Sequence, residues 1–100
     1  MATFHRYQGE RGGEERIEIQ GRFDFKSHRD WRALVDELDP ASSYVVDMSH
    51  TSFIDSSALG MLLMLRDRIA GIRIVGPNED VRAIFDIARF DQVFLIEPAA

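Results

Sequence analysis

The sequence predicts a single α/β domain in which helices cover one mixed sheet of about five strands. Three observations support this class. Two strand-like segments flank a glycine-rich turn near the start, which predicts an N-terminal hairpin. From residue 27 onward, segments with helical spacing alternate with short apolar runs, as in parallel strands joined by right-handed crossover helices. The 100 residues suffice for one core only, so residues 1–100 form one domain.

The hairpin is predicted from the first twenty residues. Residues 3–8 alternate weakly between apolar and polar side chains, and residues 9–13 are a glycine-rich turn. The segment Arg16–Gln20 alternates cleanly, as a strand with one solvated face does, and is expected to end at Gly21.

The first helix is predicted to begin at Ser27. Asp30, three residues later, completes a pair that resembles a capping box, and Pro40 closes the segment. Four apolar residues recur between them at helical spacing: Trp31, Leu34, Val35 and Leu38.

The second half continues the alternation. The run Tyr44–Val46 is apolar on both sides, which suits a central strand covered by helices on each face. Residues 48–55 are predicted to form a loop. A helix over 56–68, a strand over 72–75, a helix capped by Asn78 and a short strand over 94–96 follow. A C-terminal helix is expected to be absent or truncated.

Composition and charge exclude several classes of function. The net charge is −5, with a single lysine and no basic stripe, so nucleic acid would be repelled. There is no cysteine, which excludes disulfides and thiolate catalysis and fits a reducing compartment. Every apolar run is far shorter than the ~20 residues of a membrane span. We therefore expect a cytoplasmic protein without direct membrane contact.

The segment over residues 47–60 carries the candidate chemistry. A loop delivers Asp55, Ser56 and Ser57 to a helix start, where unpaired backbone N–H groups can hold an anion such as a phosphate. Phosphorylation there would add about −1.5 to −2 charges. Asp24 and Asp47 also follow strands, so we expect them at the same edge of the sheet. Such residues commonly cap helices, and capping alone is therefore an alternative.

Two motifs resemble the signature of the STAS domain family, which contains the bacterial anti-sigma factor antagonists. The family pattern is Asp-Leu-Ser, a short spacer, then Phe-hydrophobic-Asp-Ser-Ser-Gly-Leu-Gly, and this chain has Asp47–Ser49 and Phe53–Gly60 in those places. A second feature, Gly-x-hydrophobic-Asp after the second strand, is matched by Gly21–Asp24. The resemblance covers nearly the whole chain and implies the family fold.

The resemblance implies an anti-sigma factor antagonist that is not an enzyme. Its unphosphorylated form would bind an anti-sigma factor or serine kinase and free a sigma factor. Phosphorylation of Ser56 would end that binding, and a serine phosphatase would restore it. Asp24, Asp55 and Ser57 would shape the site. No cofactor or metal is expected on this chain, because ATP and magnesium would belong to the kinase.

The helix that begins at Ser56 is apolar around most of its circumference, more than a one-sided core needs. It is either deeply buried or partly exposed to a partner, and Leu59 and Met61 are the predicted partner contacts. Ala58 replaces the glycine of the family pattern, which would hinder a conformation that only glycine reaches, or a very close approach by a partner. The short C-terminus would leave an apolar surface for a possible homodimer.

Other functions fit less well. The main alternative is a STAS accessory subunit of a lipid-transporting membrane ATPase, without a phosphoswitch. A hydrolase built on Ser56 and His50 lacks a Gly-x-Ser-x-Gly elbow. A phosphoaspartate receiver, by resemblance, needs a lysine after a late strand, and a phosphate-binding loop ends in lysine; Lys26 stands in neither place. The three histidines show no metal-ligand spacing.

Overall fold

The computed structural model describes residues 1–9 and 12–99, and within them the chain forms six strands and three helices. The strands are β1 (Ala2–Gln8), β2 (Glu14–Phe23), β3 (Ser43–Asp47), β4 (Thr51–Ile54), β5 (Gly71–Val75) and β6 (Leu95–Glu97). The helices are α1 (His28–Glu37), α2 (Ser56–Arg68) and α3 (Glu79–Ile87), with 3-10 turns at Phe25–Ser27 and Phe90–Gln92. The turn predicted over 9–13 includes residues 10 and 11, which lie outside the described residues. None of the helices in the described ranges is long and apolar enough to cross a bilayer.

One mixed sheet runs through the molecule in the order β1-β2-β3-β5-β6, and β4 pairs with β2. The antiparallel pairing of β1 and β2 confirms the predicted hairpin, and the other pairings of the described strands are parallel. From β2 through β3 and β5 to β6, each crossover steps to the next strand on the same side. Right-handed crossovers that all step in one direction place their helices on one face of the sheet.

The three helices therefore share one core with that face. Trp31 of α1, Leu62 of α2 and Phe85 of α3 are fully buried in one cluster with Ile17 of β2 and Val46 of β3. Each such side chain contributes roughly 1.5–3 kcal/mol through removal of its surface from water. This cluster holds the helices against the sheet and thereby positions the helix starts.

The opposite face, which we call the helix-free face, carries no helix among the described residues, so the prediction that β3 is covered by helices on each face is wrong. Val45 of β3 is nevertheless fully buried. Its register partners are Arg16 on β2 and Arg73 on β5, which flank it on either side. Arg16 pairs with Asp47 at 2.9 Å, and Arg73 pairs with Glu14 at 2.9 Å. Paired charged side chains thus cover the apolar strand where a helix was expected.

The strand β2 is longer than predicted because it passes through Gly21 instead of ending there. Gly21 has φ +89°, and the register with β4 shifts between Gly21 and Arg22. The positive φ suits a residue without a Cβ atom, and the extra residue at the register shift is Ser52, on the partner strand. The first part of β2 pairs with β3 and its last residues pair with β4. The predicted loop over 48–55 therefore contains β4, a strand that the sequence did not predict, and this brings the sheet from five strands to six.

The start of α1 differs from the predicted capping box. Ser27 occupies the N-cap position but makes no side-chain capping bond; instead its Oγ accepts a hydrogen bond from the N–H of Ala2 at 3.1 Å. The serine hydroxyl therefore ties the beginning of β1 to the beginning of α1. The predicted cap of α3 is confirmed, since Asn78 Oδ1 accepts from the N–H of Val81 at 2.8 Å.

Asp47→Asn is expected to lower the free energy of unfolding at neutral pH by about 1.5–3 kcal/mol, the usual contribution of hydrogen bonds to a charged group. Burial disfavours the Asp47 carboxylate, but hydrogen bonds from the hydroxyl and N–H of Ser49 and from Arg16 outweigh it and lower the pKa of Asp47. A lowered pKa contributes stability that is complete above the unfolded-state pKa, about 3.9, and is lost as the pH falls through the folded-state pKa.

Urea unfolding of wild type and Asp47→Asn at several pH values checks this prediction. The difference between them should be the same at pH 7 and pH 5 and clearly smaller near pH 3. A difference that stays constant down to pH 3 would show that the Asp47 carboxylate is not the source of the stability.

Candidate functional site

The carboxylate of Asp55 joins the start of α2 to the turn that follows β2. Asp55 is the N-cap of α2, with extended backbone angles (φ −110°, ψ −177°), and its Oδ1 accepts from the N–H of Ala58 at 3.1 Å. Its Oδ2 accepts from the N–H of Phe25, also at 3.1 Å. Capping is therefore one role of Asp55, and a cross-link between two segments thirty residues apart is a second.

Asp24 shapes the turn to which Asp55 binds. The side chain is buried, and Oδ1 accepts from the N–H of Lys26 at 3.1 Å, which caps the 3-10 turn. Arg22 lies 3.8 Å from the other carboxylate oxygen and stacks over the ring of Phe53, 4.1 Å from its centroid. Asp24 and Asp55 thus act on the same turn from the ends of two neighbouring strands, β2 and β4.

Ser56 is the first residue of α2, and its side chain is exposed. Its hydroxyl makes no hydrogen bond with the residues that the structure describes. Ser57, next to it, is half-buried. Asp55 uses both of its carboxylate oxygens in contacts within the fold, whereas Ser56 is exposed to solvent.

Asp47, the last residue of β3, does not join this site. Its carboxylate accepts from Arg16 at 2.9 Å and from the hydroxyl of Ser49 at 2.7 Å. The N–H of Ser49 donates to the same carboxylate at 2.9 Å. These contacts hold the β3–β4 connection against the helix-free face, so the Asp-x-Ser motif is a structural element here.

The outward face of α2, formed by Ser56, Leu59, Gly60 and Leu63, carries no charge. Leu63 is 39% exposed and Leu59 is partly exposed. No charged residue occurs from position 56 to position 65. On the other two helices most exposed positions are charged: Arg29, Asp30, Arg32, Asp36 and Glu37 on α1, and Glu79, Asp80, Arg82 and Asp86 on α3.

Gly60 lies in the middle of α2, and the fold does not require a glycine there. A Cβ atom added at Gly60 would meet nothing within 4 Å. Glycine in a helix interior is less stable than alanine by roughly 0.5–1 kcal/mol. The missing side chain therefore serves no internal packing and leaves the backbone of α2 accessible one turn from Ser56.

Met61 does not reach the outward face, so its prediction as a partner contact is wrong in this structure. Its side chain is 1% exposed, and its carbonyl accepts from Trp31 Nε1 at 2.7 Å. Five residues after Ser56, position 61 has rotated toward the core. Leu63 has the exposure that was expected of Met61. Ala58 is also fully buried in regular helix, so its methyl group neither strains the backbone nor obstructs a partner.

Two exposed aromatic residues next to the site were missed in the sequence. Phe25 is 62% exposed and Phe53 is 39% exposed. Phe25 supplies the N–H that Asp55 binds, and Phe53 supports Arg22 beside Asp24. Both lie in short segments without periodicity, where sequence alone does not separate a buried aromatic residue from an exposed one.

Comparison with known proteins gives the family. A family model described as "Mlab, STAS domain" matches residues 8–97. The chain belongs to the STAS domain family. A STAS-domain containing protein of Pseudomonas aeruginosa (strain UCBPP-PA14) is 43% identical to it over 90 residues, which cover 85% of this chain and 89% of that protein. The family suggested by the two motifs is thus confirmed.

Solved structures share the fold of this STAS domain. An anti-sigma factor antagonist from Mycobacterium paratuberculosis has a TM-score of 0.80 at 19% identity, covering 99% of this chain and 87% of its own. The anti-sigma factor antagonist SpoIIAA in its unphosphorylated form has a TM-score of 0.79 at 19% identity, covering 98% of this chain and 89% of its own. At these identities the likeness establishes the fold.

Asp55→Asn is expected to release the turn after β2 while α2 stays capped. The amide keeps one accepting oxygen for the N–H of Ala58 but presents an NH₂ group, not an acceptor, to the N–H of Phe25. We expect the free energy of unfolding to fall by about 1–3 kcal/mol, because a charge-assisted hydrogen bond is removed and the N–H of Phe25 loses its acceptor.

Native-state hydrogen exchange would resolve the two bonds. In Asp55→Asn the Phe25 amide should exchange faster while the Ala58 amide stays protected. In the control Asp55→Ala the Phe25 amide should again exchange faster, and the Ala58 amide should lose part of its protection, because it keeps only the carbonyl of residue 55, at 3.1 Å, as an acceptor. Unchanged exchange of Phe25 in both variants would mean that the cross-link is absent in solution.

Proposed function

We propose that this STAS domain is an anti-sigma factor antagonist that phosphorylation of Ser56 switches off. Its unphosphorylated form binds an anti-sigma factor or serine kinase and frees a sigma factor, and so regulates transcription. The observation that carries the proposal is the position of Ser56, exposed at the head of the uncharged outward face of α2. One modification there changes the charge of the face best suited to apolar contact.

The outward face has the composition of the centre of a protein interface. Leu59 and Leu63 offer apolar contact, and Gly60 allows a partner to approach the helix backbone. Interface centres are depleted in charged residues and enriched in aromatic ones. The exposed rings of Phe25 and Phe53 beside the start of α2 add to the apolar area.

The electrostatics of the site support a switch that spares the fold. A phosphate on Ser56 would add about −1.5 to −2 charges at a helix N-terminus, where backbone N–H groups favour an anion. A partner docked on the outward face would have to remove water from that phosphate, which is costly without a cationic partner. The neighbouring Asp55 carboxylate increases the repulsion of any acidic group on the partner. Phosphorylation would therefore end binding and leave α2 folded.

The domain would act through binding and not through catalysis. The His50 Nδ1 atom lies 3.3 Å from the carboxylate of Glu18 and 3.4 Å from the hydroxyl of Ser49, and within the described residues it makes no hydrogen bond with Ser56. Within residues 1–9 and 12–99, no group of three or more acidic or histidine side chains is placed to hold a metal ion. ATP and magnesium would be bound by the kinase, and a serine phosphatase would remove the phosphate. Such a protein would work in the cytoplasm on protein partners.

The alternative is an accessory subunit of a lipid-transporting membrane ATPase. The family description "Mlab, STAS domain" keeps this alternative open. Such a subunit could use the same outward face but would need no modification of Ser56. The two functions therefore differ in whether Ser56 carries phosphate and in which partner is recovered.

The first experiment maps phosphorylation on the protein purified from its native host and compares partner recovery by Ser56 variants. We expect phosphate on Ser56, partner binding retained in Ser56→Ala, and binding lost in Ser56→Asp. Ser57→Ala is the matched control, because it removes the neighbouring hydroxyl, and it should keep both the phosphate and the partner.

Mass spectrometry of the recovered proteins distinguishes the outcomes. An anti-sigma factor or serine kinase bound only by the unphosphorylated form supports the antagonist. Absence of phosphate under all growth conditions, with Ser56→Ala and Ser56→Asp both retaining a membrane ATPase, would establish the alternative instead.

Leu63→Asp should weaken binding of that partner at least about tenfold, since it places a charge in an interface that must lose its water. Ile87→Asp on α3 is the matched control, because Ile87 is an even more exposed aliphatic residue, at 85%, on another helix. Isothermal titration calorimetry with the recovered partner measures both. If the two substitutions weaken binding equally, the outward face of α2 is not part of the binding site.

A further inference from the structure

Exposed basic side chains surround the start of α1, next to the start of α2. The N–H of Phe25 donates to the carboxylate of Asp55, so the turn that precedes α1 lies against the beginning of α2. Lys26 follows Phe25 in this turn, and Arg29 is the second residue of α1. Both side chains are exposed. Two bases therefore lie at the same edge of the molecule as the candidate site.

Arg32 extends this basic surface along the boundary between α1 and α2. It lines an open groove of about 510 Å³ together with Met64 of α2. Arg29 lies three residues before it, and side chains three residues apart are neighbours on the surface of a helix. The acidic residues of this groove, Asp36 and Asp67, lie in the last turn of each helix, at the opposite end from the candidate site. We call Lys26, Arg29 and Arg32 the basic ridge.

The side chains of the basic ridge have no anionic partner in the described part of the chain. None of the three forms an ion pair or a hydrogen bond with the residues that the structure describes. Asp24 is buried, and its Oδ1 accepts from a backbone N–H. Both carboxylate oxygens of Asp55 also accept from backbone N–H groups. Asp30 lines a different groove, on the side of α1 that faces β1. The guanidinium and ammonium groups of the ridge are therefore available to a partner.

The basic ridge also stands at the unfavourable end of its helix. The start of a helix carries a partial positive charge, which favours acidic side chains and disfavours basic ones. The first turn of α3 follows this rule, with Glu79 and Asp80. The start of α1 instead has Lys26 and Arg29 around it, in a chain whose net charge is −5. Departures of this kind are expected where a surface is used for binding.

We propose that the partner on the outward face of α2 is a protein surface whose apolar centre is bordered on one side by carboxylates, and that these carboxylates pair with the basic ridge. The inference rests on the proposed function, which places the partner on α2. Leu59 and Leu63 supply the apolar contact, and the ridge supplies the charged rim on the α1 side. Complementary charges at a rim fix the orientation of a partner and speed its association.

An acidic partner rim gives phosphorylation a second way to end binding. A phosphate on Ser56 would place about −1.5 to −2 charges at the edge where the ridge begins. It would repel the partner's carboxylates and compete with them for the same bases. The partner would thus lose its charged rim together with its uncharged centre.

Cross-linking tests the contact directly, because Lys26 is the only lysine of the chain. A water-soluble carbodiimide condenses an amine with a carboxylate only where the two groups touch. Treatment of the complex with the recovered partner should join Lys26 to an aspartate or glutamate of that partner, as read by peptide mass spectrometry. The control Lys26→Arg keeps the charge but lacks the amine, so it should bind the partner equally well and lose the cross-link.

Charge reversal measures how much the ridge contributes. Arg29→Glu should weaken binding of the partner at least about tenfold at low salt, and the difference from wild type should shrink as salt screens the charges. Arg89→Glu is the matched control. It makes the same change in net charge at an exposed arginine after α3 that also forms no ion pair with the described residues, and it should leave the affinity within about twofold. Equal weakening by both variants in isothermal titration calorimetry would overturn the proposal, because net charge alone would then explain the loss.

Urea unfolding of the free domain separates binding from folding. Arg29→Glu should be at least as stable as wild type, since an acidic side chain suits the start of a helix better than a basic one. A clearly less stable Arg29→Glu would show that the base serves the fold, and this result would also overturn the proposal.

The failure of this inference can be told apart from the failure of the proposed function. If Ser56 never carries phosphate and the recovered partner is a membrane ATPase, the proposed function fails, and a Lys26 cross-link to that partner would still support the ridge. If an anti-sigma factor binds only the unphosphorylated form but gives no Lys26 cross-link and binds Arg29→Glu as tightly as wild type, the ridge is not part of the interface and the proposed function stands.

Discussion

The structure depends on the direction in which its crossovers step. The chain moves from β2 to β3, β5 and β6 always toward the same side, and right-handed connections then place all three helices on one face. The central strand β3 is left without a helix on its other face. Its apolar Val45 is covered there by Arg16 and Arg73, whose guanidinium groups are paired with acidic residues. A charged surface on one side of the sheet is thus a consequence of topology, and it explains why Asp47, although it ends a strand, belongs to the sheet and not to the candidate site.

The two motifs that identify the family form one hydrogen-bonded unit in space. Gly21, with its positive φ, lies where β2 passes from pairing with β3 to pairing with β4. Asp24 then closes the 3-10 turn, and the turn presents the N–H of Phe25 to Asp55. Asp55 binds this N–H with one oxygen and caps α2 with the other. The orientation of Ser56 is therefore set by a series of contacts that begins more than thirty residues earlier in the chain. This gives a physical reason for the Gly-x-hydrophobic-Asp and Asp-Ser-Ser motifs to occur together.

Much of the fold and of the candidate site could be predicted from short-range features of the sequence. The boundaries of α2, the cap at Asn78 and the hairpin follow from periodicity and capping residues. The motifs pointed to Asp24 and Asp55 as residues that shape the site. Contacts between residues far apart in the sequence could not be predicted in the same way. Ser27 has the residue type of a cap, but its hydroxyl is used by Ala2, which is 25 residues away. Met61 and Leu63 are equally apolar, and only the packing of α2 against Trp31 decides which one is buried. The apolar run of β3 indicated burial on both sides correctly, but arginine side chains and a helix cover a strand equally well.

The stability of the fold alone does not account for the residues on the outward face of α2. The exposed surfaces of α1 and α3 show what a solvated helix in this protein carries, namely charged side chains at most outward positions. The outward face of α2 instead has an exposed leucine and a glycine that packing does not need. Local departures from the rules that stabilise a helix are expected where a surface has another use, such as binding.

Two adjacent residues at the start of α2 also differ in whether they hold the fold together. Asp55 has both carboxylate oxygens committed to the fold, so its replacement would disturb the structure, whereas the Ser56 hydroxyl has no hydrogen bond to lose within the part of the chain that the structure describes. A switch requires this separation, because a residue that also held the helix in place could not change its charge without changing the fold.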